Sequence, residues 1–69
     1  MTKESTKALI KILREFDMNF RPVLSSEYAQ SLDEETQQEM LAVWLNNQRM
    51  LNKANKILSK QELDSIEGQ

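Results

Sequence analysis

Residues 40–58 read MLAVWLNNQRMLNKANKIL, and their apolar side chains recur at the spacing of a helix that faces a core. Trp44, Leu51 and Leu58 follow one another at intervals of seven. Two further series widen this stripe at the same interval: Met40, Asn47 and Ala54, and Val43, Met50 and Ile57. Intervals of seven mark the buried seam of packed helices. Because the stripe is wider than a two-stranded seam requires, it predicts a helix in the centre of a small bundle.

The same segment contains an asparagine and two leucines whose roles the spacing leaves open. Asn47 lies either within the stripe, where its amide would need hydrogen-bond partners, or at the edge, where it would face water. Leu41 and Leu45 point to another side of the helix. In one interpretation they contact the second helix or the chain end. In the other they form, with Gln48, a patch that binds a partner or a second copy of the chain.

A first helix is predicted over residues 3–18, with Thr2 or Ser5 as its N-cap. Its apolar side chains recur at helical spacing and form one stripe. The members of this stripe are Leu9, Ile12, Leu13, Phe16 and Phe20. Ile10 falls at the edge of the stripe. Since the stripes of the first and third helices must cover each other, we expect Trp44 to be largely buried against the first helix.

The pair Arg21-Pro22 predicts a boundary after the first helix. Proline disfavours the helical conformation in the residue before it and fits the first turn of a new helix. A second helix is therefore predicted over residues 22–30. It would turn four side chains inward: Val23, Leu24, Tyr28 and Leu32.

A third helix is predicted over residues 32–58, with a capping box formed by Ser31 and Glu34. A break at Ser59 would start a short fourth helix over residues 60–67, followed by Gly68. The alternative is one continuous helix through Ser59, because the residues that follow it are good helix formers. The sequence thus predicts an all-α fold, a single helical domain over residues 1–69 built as a small bundle of three helices with a short fourth.

The composition bears on the class of protein. The 69 residues include no cysteine and no histidine, so disulfides, thiolate metal sites and histidine-activated nucleophiles are excluded. We expect no enzyme activity, no catalytic residues, no cofactor, no metal and no small-molecule substrate. No stretch approaches the ~18 consecutive apolar residues of a membrane span, and the start lacks the apolar region of a secretory signal. A cytoplasmic protein without membrane contact is expected.

Charge is distributed unevenly along a chain whose net charge is only −2. Acidic residues dominate residues 33–39, and basic residues dominate the second half of the third helix. The basic residues there form a row spaced by four, three and four: Arg49, Lys53, Lys56 and Lys60. This row is either a solvated face favoured by the helix dipole or a surface that meets phosphates or an acidic protein.

Pro22-Val23 after the first helix, together with Leu45 and Arg49 in the third, resembles the theta subunit family of bacterial replicative DNA polymerase and its phage versions. The resemblance covers about forty residues with one gap. The chain lacks the histidine that this family carries in its last helix. The resemblance implies a small helical subunit that docks onto an enzyme and does no chemistry itself.

These features favour a small non-enzymatic protein-binding module, either an accessory subunit or an inhibitor that docks on a larger protein or enzyme complex. Its predicted partner-binding residues are Leu41, Leu45, Gln48, Arg49, Lys53, Lys56 and Lys60. The expected partner is a protein, which includes a second copy of the chain, and nucleic acid is less favoured. Two alternatives remain. One is a dimeric nucleic-acid-binding regulator that uses the basic row, and the other is a self-assembling structural helical unit.

Overall fold

The computed structural model describes the backbone of residues 1–67 and the side chains of residues 1–64. Its helices in chain order are α1 (Lys3–Leu24), α2 (Glu27–Ser31) and α3 (Glu34–Glu67). Within the described residues all regular structure is helical, which confirms the predicted all-α class. The two long helices, α1 and α3, lie side by side in opposite directions and give a rod of 56 × 17 × 14 Å. The molecule is therefore a helical hairpin with a short helix at its turn.

The start of α1 agrees with the sequence. Thr2 is the N-cap, and its side-chain oxygen accepts a 3.1 Å hydrogen bond from the Ser5 amide. The Thr6 hydroxyl donates to the Thr2 carbonyl at 3.0 Å. The bond from the Ser5 amide satisfies one of the amide groups that a helix start leaves without an intrahelical partner.

The end of α1 contradicts the predicted boundary at Arg21-Pro22. The helix continues through Pro22 to Leu24, and Ser25 is its C-cap. A proline deep inside a helix is costly because it lacks an amide hydrogen and crowds the preceding turn. Pro22 stands in the last turn, and its fixed φ suits the helical backbone. The predictions of a helix end near Met18 and of a new helix from residue 22 were wrong.

Only five residues form α2. The Ser26 side chain caps it by accepting a 3.1 Å hydrogen bond from the Ala29 amide. Ala29 is the buried residue of this helix. Tyr28 and Val23, which were predicted to face inward, are exposed, whereas Leu24 and Leu32 are half-buried. So short a helix has room to bury only one side chain.

One uninterrupted helix, α3, extends from Glu34 to Glu67. The break predicted at Ser59 and the separate helix over residues 60–67 are absent from this part of the chain. Ser31, the predicted cap, is the last residue of α2, and its hydroxyl donates to the Tyr28 carbonyl. Asp33 precedes α3, and its carboxylate accepts a 2.5 Å hydrogen bond from the Thr36 hydroxyl. This hydrogen bond contributes most to holding the pKa of Asp33 below its usual range. Gly68 lies outside the described residues.

A narrow seam joins α1 to α3. Its buried apolar members come from both helices: Ile10, Leu13, Leu51 and Ala54. The predicted α1 stripe faces this seam only in part, since Leu13 is buried in the seam and Leu9 packs against it. Ile10, expected at the edge, is only 5% exposed, whereas Ile12, expected in the stripe, is 62% exposed. The hairpin thus covers one side of the apolar stripe and leaves the other side open.

Candidate functional site

Asn47 occupies the middle of the seam. Its side chain is buried, and Nδ2 donates a 3.1 Å hydrogen bond to the main-chain carbonyl of Leu13. Of the two interpretations left open by the sequence, the structure shows the buried and hydrogen-bonded one. A buried amide with a single geometric partner helps to fix the register of two helices, since a slip along the seam would leave that amide unpaired.

A polar cluster lies one turn further along α1, where Asp17 receives several donors. The Trp44 indole nitrogen donates to Asp17 Oδ1 at 2.8 Å, and the Gln48 side-chain amide donates to the same oxygen at 2.7 Å. Arg21 Nε donates to it at 3.2 Å, and the guanidinium carbon lies 5.7 Å from the centroid of the Trp44 ring. This arrangement combines an ion pair with a cation–π contact.

Trp44 lies against α1, as predicted, but it is half-buried where the prediction was of a largely buried side chain. The contacts of its ring edge and ring face are to Asp17 and Arg21. An indole has one polar edge, which needs a hydrogen-bond partner when it is partly desolvated. The signal in the sequence was Asp17 itself, which follows Leu13 by four residues and so lies on the side of α1 that meets α3.

The charge state of Asp17 follows from these contacts. Partial burial acts to raise the pKa of the Asp17 carboxyl, but hydrogen bonds from Trp44, Arg21 and Gln48, together with the charge of Arg21, outweigh it. The pKa of Asp17 is therefore lowered. The carboxylate is a structural acceptor that stays ionised at neutral pH, and it lacks the raised pKa expected of a general acid.

The predicted patch on α3 is divided by the structure. Leu45 is 43% exposed, and Leu41 is exposed to a similar degree. Leu41 also borders a hollow beneath α2, which Leu24 and Met40 line as well. Gln48 is half-buried and bound to Asp17, so it belongs to the seam between the helices. Among Leu41, Leu45 and Gln48, Leu45 is the one without a described contact to α1 or α2.

All four members of the basic row, Arg49, Lys53, Lys56 and Lys60, are exposed. Among the described side chains the one ion pair is that between Arg21 and Asp17, so none of the four is neutralised within residues 1–64. A second set of cations lies on α1, where Lys7, Lys11 and Arg14 line a groove of about 320 Å³.

The largest departure from the expected packing is an apolar face formed jointly by the two long helices. We use the name apolar face for four side chains on one side of the hairpin, two from each helix: Ile12, Phe16, Val43 and Met50. Val43 is 51% exposed and Met50 is 45% exposed. The four line one groove of about 210 Å³, whose floor includes Leu13 and the seam residue Asn47. These four side chains belong to the predicted stripes, and no element within residues 1–64 covers them.

Two aromatic rings shape one end of the apolar face. Phe16 and Phe20 stack with their centroids 5.1 Å apart and their planes at 16°. Phe20 is half-buried, whereas Phe16 is exposed. A ring held in this way loses little side-chain freedom when another surface covers it. The sequence signal for this face was the unusual width of the stripe on α3.

Other kinds of site find little support in the described residues. No group of three acidic, histidine or cysteine side chains there could hold a metal ion. Within residues 1–67, none of the helices combines the length and the apolar character that crossing a bilayer requires. No family model, no curated protein and no solved structure matches the chain. The resemblance to the theta subunit family remains an expectation from the sequence.

Proposed function

We propose that this chain is a non-enzymatic protein-binding module, an accessory subunit or inhibitor, whose apolar face is the interface for helices of a partner chain. The observation that carries the proposal is the exposure of Ile12, Phe16, Val43 and Met50 on one side of the hairpin. Contiguous apolar surface of this kind in a small protein marks an interaction site. Aromatic side chains and methionine are enriched in the buried centre of protein interfaces.

The narrow seam supports the same proposal. The core holds few large side chains, and small domains without disulfides or metals draw stability from assembly. The bundle expected from the sequence would be completed by the helices of the partner. The basic row borders the apolar face on α3, because Lys53 follows Met50 by three residues and the two lie on neighbouring positions of the helix surface. An acidic rim on the partner would raise the association rate.

Affinity capture from native lysate tests the proposal, with two variants on adjacent sides of α3. Val43→Glu places a charge on the apolar face, and Leu45→Glu places the same charge two residues away on another side. We expect the wild-type chain and Leu45→Glu to retain a protein partner and Val43→Glu to lose it, with helicity by circular dichroism unchanged in both. Capture that neither variant alters, or that Leu45→Glu alone abolishes, would contradict the proposal.

A second candidate function is a dimeric nucleic-acid-binding regulator, favoured by the exposed basic row. Its test is the binding of a generic duplex by the purified chain, followed across salt concentrations with Lys53→Glu/Lys56→Glu as the comparison. Phosphate contacts would give affinity that falls steeply with salt. We expect no binding at physiological salt, because the acidic start of α3 lies on the same helix. Micromolar or tighter, salt-sensitive binding that the variant loses would place this function first.

A further inference from the structure

We infer that the occupant of the apolar face is a second copy of this chain, and that two hairpins pair with their α3 helices side by side in opposite directions to form a four-helix bundle. This inference rests on the proposed function, since it names the partner of the same face. Two features carry it: the amount of surface left exposed, and the order of charges along α3.

The exposed area suits an interface between two small proteins. The chain exposes 5527 Å². A compact folded monomer of 8.1 kDa would expose about 4,500 Å² by the size relation for globular proteins. The difference of about 1,000 Å² belongs to the whole rod, and it is of the same order as the area of about 800 Å² that each partner buries in an interface of standard size. Packing a second hairpin on the apolar face would convert an elongated rod into a bundle of ordinary proportions.

The row of residues beside the apolar face on α3 is complementary to itself. Glu35 and Glu39 stand at its beginning, the uncharged Ala42 and Asn46 follow, and the basic row completes it at intervals of four and three. Residues at these intervals lie along one edge of a helix. An antiparallel pair of α3 helices would set the acidic beginning of each edge against the basic end of the other. Parallel pairing would place like charges together.

The spacing of these charges fixes where the two-fold axis would cross. Glu39 and Glu35 precede Asn47 by eight and twelve residues, and Lys56 and Lys60 follow it by nine and thirteen. An axis near Asn47 therefore brings acid and base opposite each other to within about one residue, or about 1.5 Å of helix. A two-fold interface uses the same patch on both copies, so the patch must be complementary to itself. The charges along α3 meet this requirement.

Two polar residues, Asn46 and Asn47, line the groove of the apolar face. The amide nitrogen of Asn47 already donates to the Leu13 carbonyl, so that donor keeps its partner when the face is covered. Asn46 stands at the edge, close to the proposed axis, where its amide can meet the symmetry-related amide or water. The centre of the interface would be formed by Phe16, Val43 and Met50 from each copy, which gives the apolar core of a four-helix bundle.

Sedimentation equilibrium with two charge-reversed variants tests this pairing. The first variant is Glu35→Lys/Glu39→Lys, and the second is Lys56→Glu/Lys60→Glu. We expect the wild type to approach twice the chain mass of 8.1 kDa. Each variant alone should associate about tenfold more weakly or worse at low salt, because like charges then meet along both edges. An equimolar mixture of the two should recover the dimer mass, since the reversed rows complement each other.

A wild-type chain that stays at the monomer mass at every concentration would overturn the second copy as occupant. That result would leave the proposed function standing if Val43→Glu still loses a partner from lysate, so the two failures are distinguishable. Variants that dimerise as well as the wild type would overturn the antiparallel α3 pairing. Circular dichroism of each variant separates loss of association from loss of helix.

Chemical crosslinking checks the geometry independently, because the native chain has no cysteine. Asn46→Cys lies near the proposed axis, and Asn55→Cys lies in the groove on the opposite side of the hairpin, beside Lys7 and Arg14. A short crosslinker that joins two thiols should link two copies through position 46 and leave position 55 unlinked. Equal linkage at both positions, or linkage only at position 55, would contradict the arrangement.

Discussion

Asn47 Nδ2 donates a 3.1 Å hydrogen bond to the carbonyl oxygen of Leu13, across the seam and 34 residues away in sequence. This bond joins α3 to α1 at the middle of the hairpin, where both partners are buried. Below it toward the chain start lie the apolar side chains of the seam, and above it lies the Asp17 cluster. The bond therefore marks the register in which the two long helices meet.

Removal of this bond should destabilise the fold. We expect Asn47→Ala to lower the free energy of unfolding by about 1–3 kcal/mol, the usual cost of losing a buried hydrogen bond and its packing. Asn47→Asp should cost more, because a carboxylate oxygen would face the Leu13 carbonyl with no donor. Asn52→Ala, on an exposed asparagine of α3, is the matched control and should stay within about 0.5 kcal/mol of the wild type. Urea unfolding measures all three, and equal effects at positions 47 and 52 would refute the role of the bond.

Asp17 should make the stability depend on pH in the acid range. Because the folded-state pKa of Asp17 is lowered, its contribution to folding is fully present above the unfolded pKa and is lost as pH falls through the folded pKa. Thermal melts of the wild type and Asp17→Asn between about pH 2 and pH 6 should therefore show a shallower pH dependence in the variant. Glu62→Gln, an exposed acid with no described hydrogen bond, is the control. Parallel curves for Asp17→Asn and the wild type would show that Asp17 is not held by its three donors.

The narrow seam predicts a sharp contrast between two leucines of α3. Leu51 is buried against α1, whereas Leu63 is exposed. Leu51→Ala should cost roughly 2–5 kcal/mol, which is enough to unfold much of a domain this small. Leu63→Ala should change stability by less than about 0.5 kcal/mol. Chemical denaturation provides the comparison, and similar losses for the two variants would place the core elsewhere.

Continuity of α3 through Ser59 can be tested with proline. If a new helix began after Ser59, Lys60 would stand at its first position, which proline favours. Inside the continuous helix of the structure, Lys60→Pro removes an amide hydrogen and crowds the preceding turn, at a cost of about 3 kcal/mol in a helix interior. We expect lower helicity and a lower melting temperature for Lys60→Pro, with Lys60→Ala close to the wild type. A Lys60→Pro chain as helical as Lys60→Ala would instead favour a helix break at Ser59.

The helical class and the two long helices follow from the sequence because seven-residue intervals and good helix formers extend over most of both. The register of α1 against α3, and the sides of the two helices that face each other, do not follow from the sequence. The spacing shows that α3 is apolar over a broad arc, but it cannot tell which part of that arc meets α1 and which part waits for another surface. Ile10 and Ile12 illustrate this limit, since both are apolar neighbours on α1 and only the first is buried.

The boundaries were harder to predict than the helices for a local reason. Pro22 and Ser59 both carry strong signals for a helix start, yet each lies within a helix of the structure. At Pro22 the helix ends two residues later, so the proline disturbs only the last turn. At Ser59 the helix continues through residues that are good helix formers, and the Gln61 side chain donates a 2.8 Å hydrogen bond to the Met1 carbonyl. The structure thus shows the continuous helix that the sequence left open as the alternative.

The apolar face, and not the side of α3 that carries Leu45, is the surface that we expect a second copy to cover. Sedimentation equilibrium of Val43→Glu and Leu45→Glu over about 1–500 µM distinguishes the two sides, because the dimer population follows mass action. We expect the wild type and Leu45→Glu to approach twice the chain mass and Val43→Glu to remain a helical monomer. A Val43→Glu chain that dimerises like the wild type, or a dimer lost only in Leu45→Glu, would contradict it.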